Sequence, residues 1–333
     1  RTMTRKIAMV TGAGRGIGKG IAIQLAKAGY DLAIHYSTTA EGAIDTIEKV
    51  RALGARAELF HADIRDVEQI RAMFADFSEK FDHIDLMVNN AGITRFQPFL
   101  EATPEMFDTV VGTDLRGTYF CAQSAARIMV EKKIPGVIIN ISSNHAQGCW
   151  NGATFYAAAK AGLNKLGMNM AMELGQYGIR VVTIAPGYTV LPERIQPGNE
   201  KLNIWRDIIT DRIPLHRFCT PAEVGDAVVF LDSEGARYIT GTTLYMDGGA
   251  LLPIIEKAFH NGTVLTVCSQ CPQGAVALGA YETSNALKRA GAVSGLDMTT
   301  EAAVAKLYYL FSCGYEKERV KTLMEQNLRG EMT

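Results

Sequence analysis

The sequence predicts an α/β chain: a doubly wound parallel sheet of seven strands, with a smaller α/β fragment appended at its carboxyl end. Three observations support this. Between Lys6 and about Leu252, short apolar runs alternate with longer segments of 3.6-residue period. The short runs are apolar at nearly every position, as strands covered by helices on both faces should be. The first of them feeds a glycine-rich turn that opens a helix, and in such sheets ligands gather at the carboxyl ends of the strands.

The elements follow in order. "KIAMVTG" reads as a strand, "GIGKGIAIQLAKAG" as a helix, "DLAIHY" as a strand and "TTAEGAIDTIEKVRALG" as a helix. "AELFHAD", "IDLMVNN", "GVIINISS", "IRVVTIAPG" and "TTLYMDGG" complete the set of strands, with helical stretches between most of them. The bulk numbers agree with a folding chain, since 47% hydrophobic and 21% charged residues exclude a disordered or fibrous one. Lys and Arg total 34 against 35 acidic residues, so no basic excess points to nucleic acid or an anionic membrane. No apolar run approaches the ~20 residues of a membrane span, and no signal-peptide core is present, so the expected compartment is the cytoplasm. Arg1 and Thr2 precede the first methionine and are left out of the reading. The cysteines lack a disulfide-framework spacing, and Cys268-x-x-Cys271 has no second pair or nearby His to complete a zinc site, so no metal is expected.

"TGAGRGIGKG" carries glycines at 12, 14, 16 and 18. It is not a P-loop, because Ala13 stands at the first glycine position and Gly20 where Ser or Thr would bind magnesium, and its spacing is not G-x-G-x-x-G. An ordinary tight turn would also use glycine, but placement in the first βαβ unit favours a dinucleotide, with backbone N–H groups meeting a pyrophosphate at the helix N-terminus. Gly12, Arg15, Gly16, Ile17 and Gly18 form this candidate cradle. The second strand ends in Tyr36 rather than the acid that binds a ribose 2′-hydroxyl. Arg15 and the hydroxyls of Ser37 and Thr38 could instead hold a 2′-phosphate, so NADP(H) is favoured over NAD(H). Asp63, beside Ile64 after the third strand, could accept from the adenine amino group or cap a helix.

Tyr156 and Lys160 stand four apart at the head of a long helical pattern and project from one face. Such a pair is often only a surface contact. A phenol with an ordinary pKa near ~10 exchanges protons poorly at neutral pH unless a cation stabilises its phenolate, and Lys160 can be that cation while holding the nicotinamide ribose. Ser143 follows the fifth strand, where its hydroxyl could steady a carbonyl oxygen.

Taken together, "TGAGRGIG", "NNAG" at 89–92, Ser143, Tyr156-x-x-x-Lys160 and "PG" at 186–187 resemble the short-chain dehydrogenase/reductase family from about Lys6 to Leu252. The resemblance implies a Rossmann-type domain over residues 3–252. It makes Tyr156 the general acid/base, Lys160 the group that lowers its pKa and binds ribose, and Ser143 the group that positions the substrate oxygen. It lines the cofactor with Asn89, Ala91, Gly92, Pro186 and Gly187, and brings Thr189 to the carboxamide. Where the family often has N-L-x-G, this chain reads "TDLRG". The family's Asn is thought to act through its main-chain carbonyl and a water that reaches the lysine, so Asp114 is expected to preserve the relay and to add charge.

The helix "YAAAKAGL" is similar to that of carrier-linked 3-oxoacyl reductases, but Ile134 and Met172 fall near the places of two arginines that dock the acidic carrier. A free small molecule is therefore ranked above an acyl carrier. Asn144, His145, Gln147, Trp150, Asn151 and Tyr188 offer mixed donors and acceptors that suit a small polar or polyhydroxylated carbonyl or alcohol. His145 is expected as a pocket wall and not as a proton carrier. A homo-oligomer, dimer or tetramer, is expected from the relatives' habit. A cofactor-binding scaffold without turnover is the alternative from another class.

Residues 253–333 are the appended fragment. "TVLTVCS" reads as a strand, and "ALGAYETSNALKRAG", "TTEAAVAKLYYLFSCG" and "EKERVKTLMEQNL" as helices. "GAVSGLDMTTEAAVAKLYYLFS" and "NLRGEMT" resemble the carboxyl-terminal part of cytosolic-type bacterial asparaginases. The catalytic threonines of that family lie in an amino-terminal domain with no matching segment here, so the fragment is expected to be non-catalytic and amide hydrolysis is disfavoured. A natural fusion and a joining of two reading frames both fit, and the abruptness of the change favours the second.

Overall fold

The structure, a computed structural model, describes residues 5–38, 40–191 and 206–252, together with 266–267, 292–294, 303, 306–307, 309–311 and 313–326. The chain divides into two compact units, 1–249 and 250–333.

In the first unit, seven strands form one sheet in the order β3-β2-β1-β4-β5-β6-β7. They are β1 (Ile7–Val10), β2 (Asp31–Tyr36), β3 (Ala57–His61), β4 (Leu86–Asn89), β5 (Val137–Ile141), β6 (Arg180–Pro186) and β7 (Thr243–Met246). Every pairing is parallel. The helices between them are α1 (Gly16–Lys27), α2 (Ala40–Ala52), α3 (Val67–Lys80), α4 (Pro104–Val111), α5 (Thr118–Lys132), α6 (Thr154–Leu174) and α7 (Pro221–Leu231). The doubly wound sheet expected from the apolar runs is the one observed.

Strand alternation builds two cores. Ala8 and Val10 face a layer with Ile21, Leu25, Ile47 and Val228, contributed by α1, α2 and α7. Ile7 and Met9 face the other, with Phe74, Phe77, Cys121 and Met129 from α3 and α5. The strand order reverses between β1 and β4, and the crevice at their carboxyl ends is where a doubly wound sheet receives a ligand.

Two local features differ from the sequence reading. The cap of α3 is Asp66, whose side chain accepts the N–H groups of Glu68 and Gln69. Asp63 is not a cap: its carboxylate pairs with Arg65, at 2.5 Å from Nη2. Between α4 and α5, residues Gly112–Gly117 take a π-helical course, which widens the turn that carries Asp114.

In the second unit, β8 (Thr266–Val267) pairs in parallel with β9 (Val293–Ser294), and α8 spans Lys317–Met324. The strand expected in "TVLTVCS" and the last helix are present, whereas β9 was not anticipated. The helix expected in "ALGAYETSNALKRAG" and the Cys268–Cys271 pair lie outside the described residues.

Candidate active site

The site begins at the end of β1. Gly12 has φ +64° and Gly16 φ +55°, the left-handed region where a side chain is strained. A Cβ on Gly18 would come within 2.4 Å of both the Gly12 carbonyl and the Asn90 amide, so only glycine lets the helix approach its own turn. Arg15, exposed at the N-cap of α1, makes no side-chain cap, which leaves the helix's leading N–H groups available to an anion.

Three groups unforeseen in the sequence hold this turn. Thr11 Oγ1 accepts the N–H groups of Asn90 (2.9 Å) and Ala91 (3.0 Å). Asn90 Nδ2 donates to the carbonyls of Thr11 (2.9 Å) and Gly12 (3.2 Å). His35, buried in β2, accepts the Gly12 N–H at Nδ1 (3.1 Å) and donates from Nε2 to the Ala62 carbonyl (3.0 Å). Burial pushes the His35 pKa down to about 4, against the opposing Ala62 bond, so the ring is the neutral tautomer this geometry needs. The signal in "NNAG" and "IHYS" was too short to reveal these bonds, which join residues 23 to 80 positions apart.

Tyr36 ends β2 with no carboxylate beside it, and Ser37 and Thr38 follow at the surface. Asn89 is buried and donates to Asn140 Oδ1 at 3.0 Å, while Asn89 Oδ1 has no partner. A left-handed glycine turn, an uncapped helix N-terminus and an orphaned buried amide oxygen fit a dinucleotide running along this edge.

At the other end, Ser143 caps a short turn after β5 and accepts the His145 N–H at 3.2 Å. Tyr156 and Lys160, in the first turns of α6, are both buried, at 7% and 4% exposure, so they are no surface pair. Lys160 Nζ lies 5.8 Å from the centroid of the Tyr156 ring and donates to the Ile141 carbonyl at 3.0 Å. The fully buried Asp114 carboxylate faces the same ammonium, with Oδ2 at 3.2 Å, and its Oδ1 accepts the Ile93 N–H at 2.7 Å. Burial opposes the Lys160 charge, but Asp114 and Tyr156 together outweigh it and the Lys160 pKa is raised. The side chain of Asp114 thus meets the lysine directly, which adds to the main-chain relay expected from sequence.

A cavity of about 430 Å³ opens above these groups, lined among others by Ser143, Tyr156, Asn144, His145, Tyr188 and Thr189. Ile17, Pro186 and Gly187 also border it. His145 Nδ1 lies 3.1 Å from Ser143 Oγ and 3.2 Å from Asn144 Oδ1. Burial pushes the His145 pKa down to about 4, which favours the neutral ring at pH 7. Trp150 is not part of the lining: it stacks on His145 at 3.9 Å and donates to the Tyr188 hydroxyl at 3.1 Å. Gln147 and Asn151 are exposed and also stand outside it. Phe96, Phe218 and Arg206 line the cavity and were not anticipated. Asp63 and Ile64 lie at the end of β3, beyond this cavity. Among the described residues no cluster of His, Cys, Asp or Glu could hold a metal, and no helix is long and apolar enough to cross a membrane.

Comparison with known proteins adds two matches of different kind. The enoyl-(acyl carrier protein) reductase family model matches residues 12–250, and the glutaminase/asparaginase C-terminal domain model matches residues 240–324. The 3-oxoacyl-[acyl-carrier-protein] reductase FabG of Staphylococcus aureus is 36% identical over 244 residues, 73% of this chain and 97% of the reductase. The L-rhamnose 1-dehydrogenase (NAD(P)(+)) of Azotobacter vinelandii is 38% identical over 247 residues, covering 73% of this chain and 96% of that enzyme. The crystal structure of acetoin dehydrogenase YohF from Salmonella typhimurium superposes with a TM-score of 0.68 at 33% identity, over 75% of this chain and 97% of that one.

Proposed function

Since the chain belongs to the short-chain dehydrogenase/reductase family, with an asparaginase-type carboxyl-terminal part, we propose that it interconverts a small polar or polyhydroxylated ketone or aldehyde and its alcohol with NADP(H). Its class is that of an NAD(P)-dependent oxidoreductase acting on CH–OH. The observation that carries this reading is that Ser143 and Tyr156 line one cavity while the buried Lys160, near the Tyr156 ring, pairs with Asp114.

When bound, the nicotinamide supplies hydride to a carbonyl carbon or accepts it from an alcohol. The Ser143 hydroxyl donates to the substrate oxygen, and Tyr156 gives that oxygen its proton in reduction and takes it back in oxidation. Lys160 supports the phenolate and reaches the ribose, and Asp114 keeps the lysine charged and in place. Gly12, Arg15, Gly16, Ile17 and Gly18 hold the pyrophosphate, and Asn89, Ala91, Gly92, Pro186, Gly187 and Thr189 line the nicotinamide side. The absence of a carboxylate at the end of β2, beside Arg15, Ser37 and Thr38, supports NADP(H) over NAD(H). Asn144, His145 and Tyr188 contact the substrate, and Trp150 orients two of them.

Exposed apolar side chains such as Leu100 (94%) and Met172 (87%) support a homo-oligomer, dimer or tetramer. Met172 offers no charge to an acidic carrier, which supports a free substrate. The cytoplasm remains the proposed compartment, and residues 253–333 the proposed non-catalytic fragment. The test is cofactor oxidation across a panel of ketones, sugars and an acyl-carrier thioester, run with NADPH and with NADH. Turnover of polar ketones with NADPH is expected. Tight NADPH binding with no turnover of any substrate would make the protein a scaffold, and preference for the thioester would make it a carrier reductase.

A further inference from the structure

Among the described side chains that line the cavity, Arg206 is the one cationic group beside the neutral His145. The guanidinium is half-buried and sits 5.9 Å from the centroid of the Phe218 ring. Among the described residues no carboxylate pairs with it. Arg217, on the same side of the fold, provides the contrast, since Glu223 binds it through two bonds of 2.9 and 2.6 Å. A cation over an aromatic face keeps its charge, and removing a cation partly from water is unfavourable unless an anion meets it there.

Arg206 lines the same cavity as the reacting groups, and a chain of side-chain contacts that passes behind the lining through Trp150 links them. His145 lies 3.1 Å from Ser143 and stacks on Trp150 at 3.9 Å. Trp150 bonds to Tyr188 at 3.1 Å, and Tyr188 stacks on Phe218 at 5.5 Å, beneath Arg206. The same cavity therefore holds the hydroxyls of Ser143 and Tyr156 and the guanidinium of Arg206. A substrate that fills it presents a carbonyl to the first and an anionic group to the second.

We infer that the substrate is a hydroxylated oxo acid, and its reduced form the corresponding hydroxy acid, with the carboxylate held by Arg206; this rests on the reductase reading above and narrows its substrate class. A guanidinium matches a carboxylate in both charge and two-pronged geometry. A phosphate monoester carries nearly two negative charges, and among the described lining residues Arg206 has no second cation beside it. In reduction the carbonyl carbon accepts hydride from NADPH and its oxygen takes the Tyr156 proton, giving CH–OH and NADP⁺. The carboxylate at Arg206 is unchanged.

The full chain is assayed with NADPH on three substrates: a 5-oxohexonate, its methyl ester and a ketohexose phosphate. The wild type should prefer the free acid. Arg206→Gln should lower the acid-to-ester ratio of kcat/KM by about 10- to 100-fold, mainly through KM, as expected for loss of one charged hydrogen-bonding partner. Arg206→Lys should recover part of that ratio. Because a folding defect lowers both rates together, the ratio isolates the contact. An unchanged ratio in Arg206→Gln, with both substrates turned over, overturns the inference and leaves the reductase reading standing. So does a preference for the phosphate. If no carbonyl is turned over at all, the reductase reading fails, and calorimetric titration of the oxohexonate into the NADP⁺-saturated chain decides the inference: weaker binding by Arg206→Gln supports it, and equal binding overturns it.

Discussion

Residues 1–249 and the described part of 250–333 differ in how they bury their strands. The first unit encloses seven strands between two apolar layers, so nearly every strand side chain has a buried neighbour. In the second, among the described residues, two strands of two residues each accompany one small cluster of Val293, Ala303, Leu310, Val320, Leu323 and Met324. A sheet needs cover on both faces before its strand ends can hold chemistry rigidly. The first unit has that cover and brings Ser143 and Tyr156 to one cavity, with the Lys160–Asp114 pair buried beside Tyr156. The second overlaps the segment matched by the glutaminase/asparaginase C-terminal domain model.

The sharpest way to break this contrast is to remove the proton donor. Tyr156→Phe in the full chain should lower kcat by about 10²- to 10⁴-fold with NADPH binding retained, measured by stopped-flow and cofactor titration. Residual turnover near wild type would place the chemistry elsewhere. Next is the buried pair beneath it. Asp114→Ala leaves the Lys160 ammonium and the Ile93 N–H without their partner, and should destabilise the first unit by about 3–5 kcal/mol in urea unfolding. Asp114→Asn keeps an acceptor for Ile93 and should stay within about tenfold of wild-type turnover. A loss as large as that of Tyr156→Phe would contradict this.

A smaller effect comes from pH. His35 titrates near 4 in the folded chain and at its ordinary 6.5 when unfolded, so the unfolded chain takes up the proton first. Its contribution is present above pH 6.5 and is lost as the pH falls toward 4, by up to about 3 kcal/mol. His35→Gln should flatten that part of the stability profile, and an unchanged slope would assign the acid sensitivity to other groups. The smallest effect tests the contrast itself. A chain ending at Leu252 should keep kcat and NADPH affinity within about twofold, because the first unit has its own core. Loss of activity together with loss of the oligomer would make the appended unit a structural part of the enzyme.

How much of this was legible in sequence follows the physics of each feature. Strands such as "VIINI" are buried on both faces and announce themselves as apolar runs, and all seven were readable. Tyr156 and Lys160 were readable because helical periodicity fixes which residues share a face. Bonds that depend on two distant segments meeting were not. His35 reads as an ordinary strand residue until Gly12 arrives over it, and Thr11 and Asn90 lie 79 positions apart. Arg206 lines the cavity although no periodicity or motif around it in the sequence marks it. Asp63 reads as a possible cap in the sequence and Asp66 was not anticipated, and the bonds of Asp66 to the Glu68 and Gln69 N–H groups identify it as the cap.

The Thr11–Asn90 clasp has one more consequence. It ties the end of β1 to the end of β4 with four bonds, two through the Thr11 hydroxyl and two through the Asn90 amide. The turn that meets the pyrophosphate has therefore already lost its conformational freedom on folding, before any dinucleotide arrives. A dinucleotide bound at this end would dock onto a surface already formed, with little ordering left to oppose it.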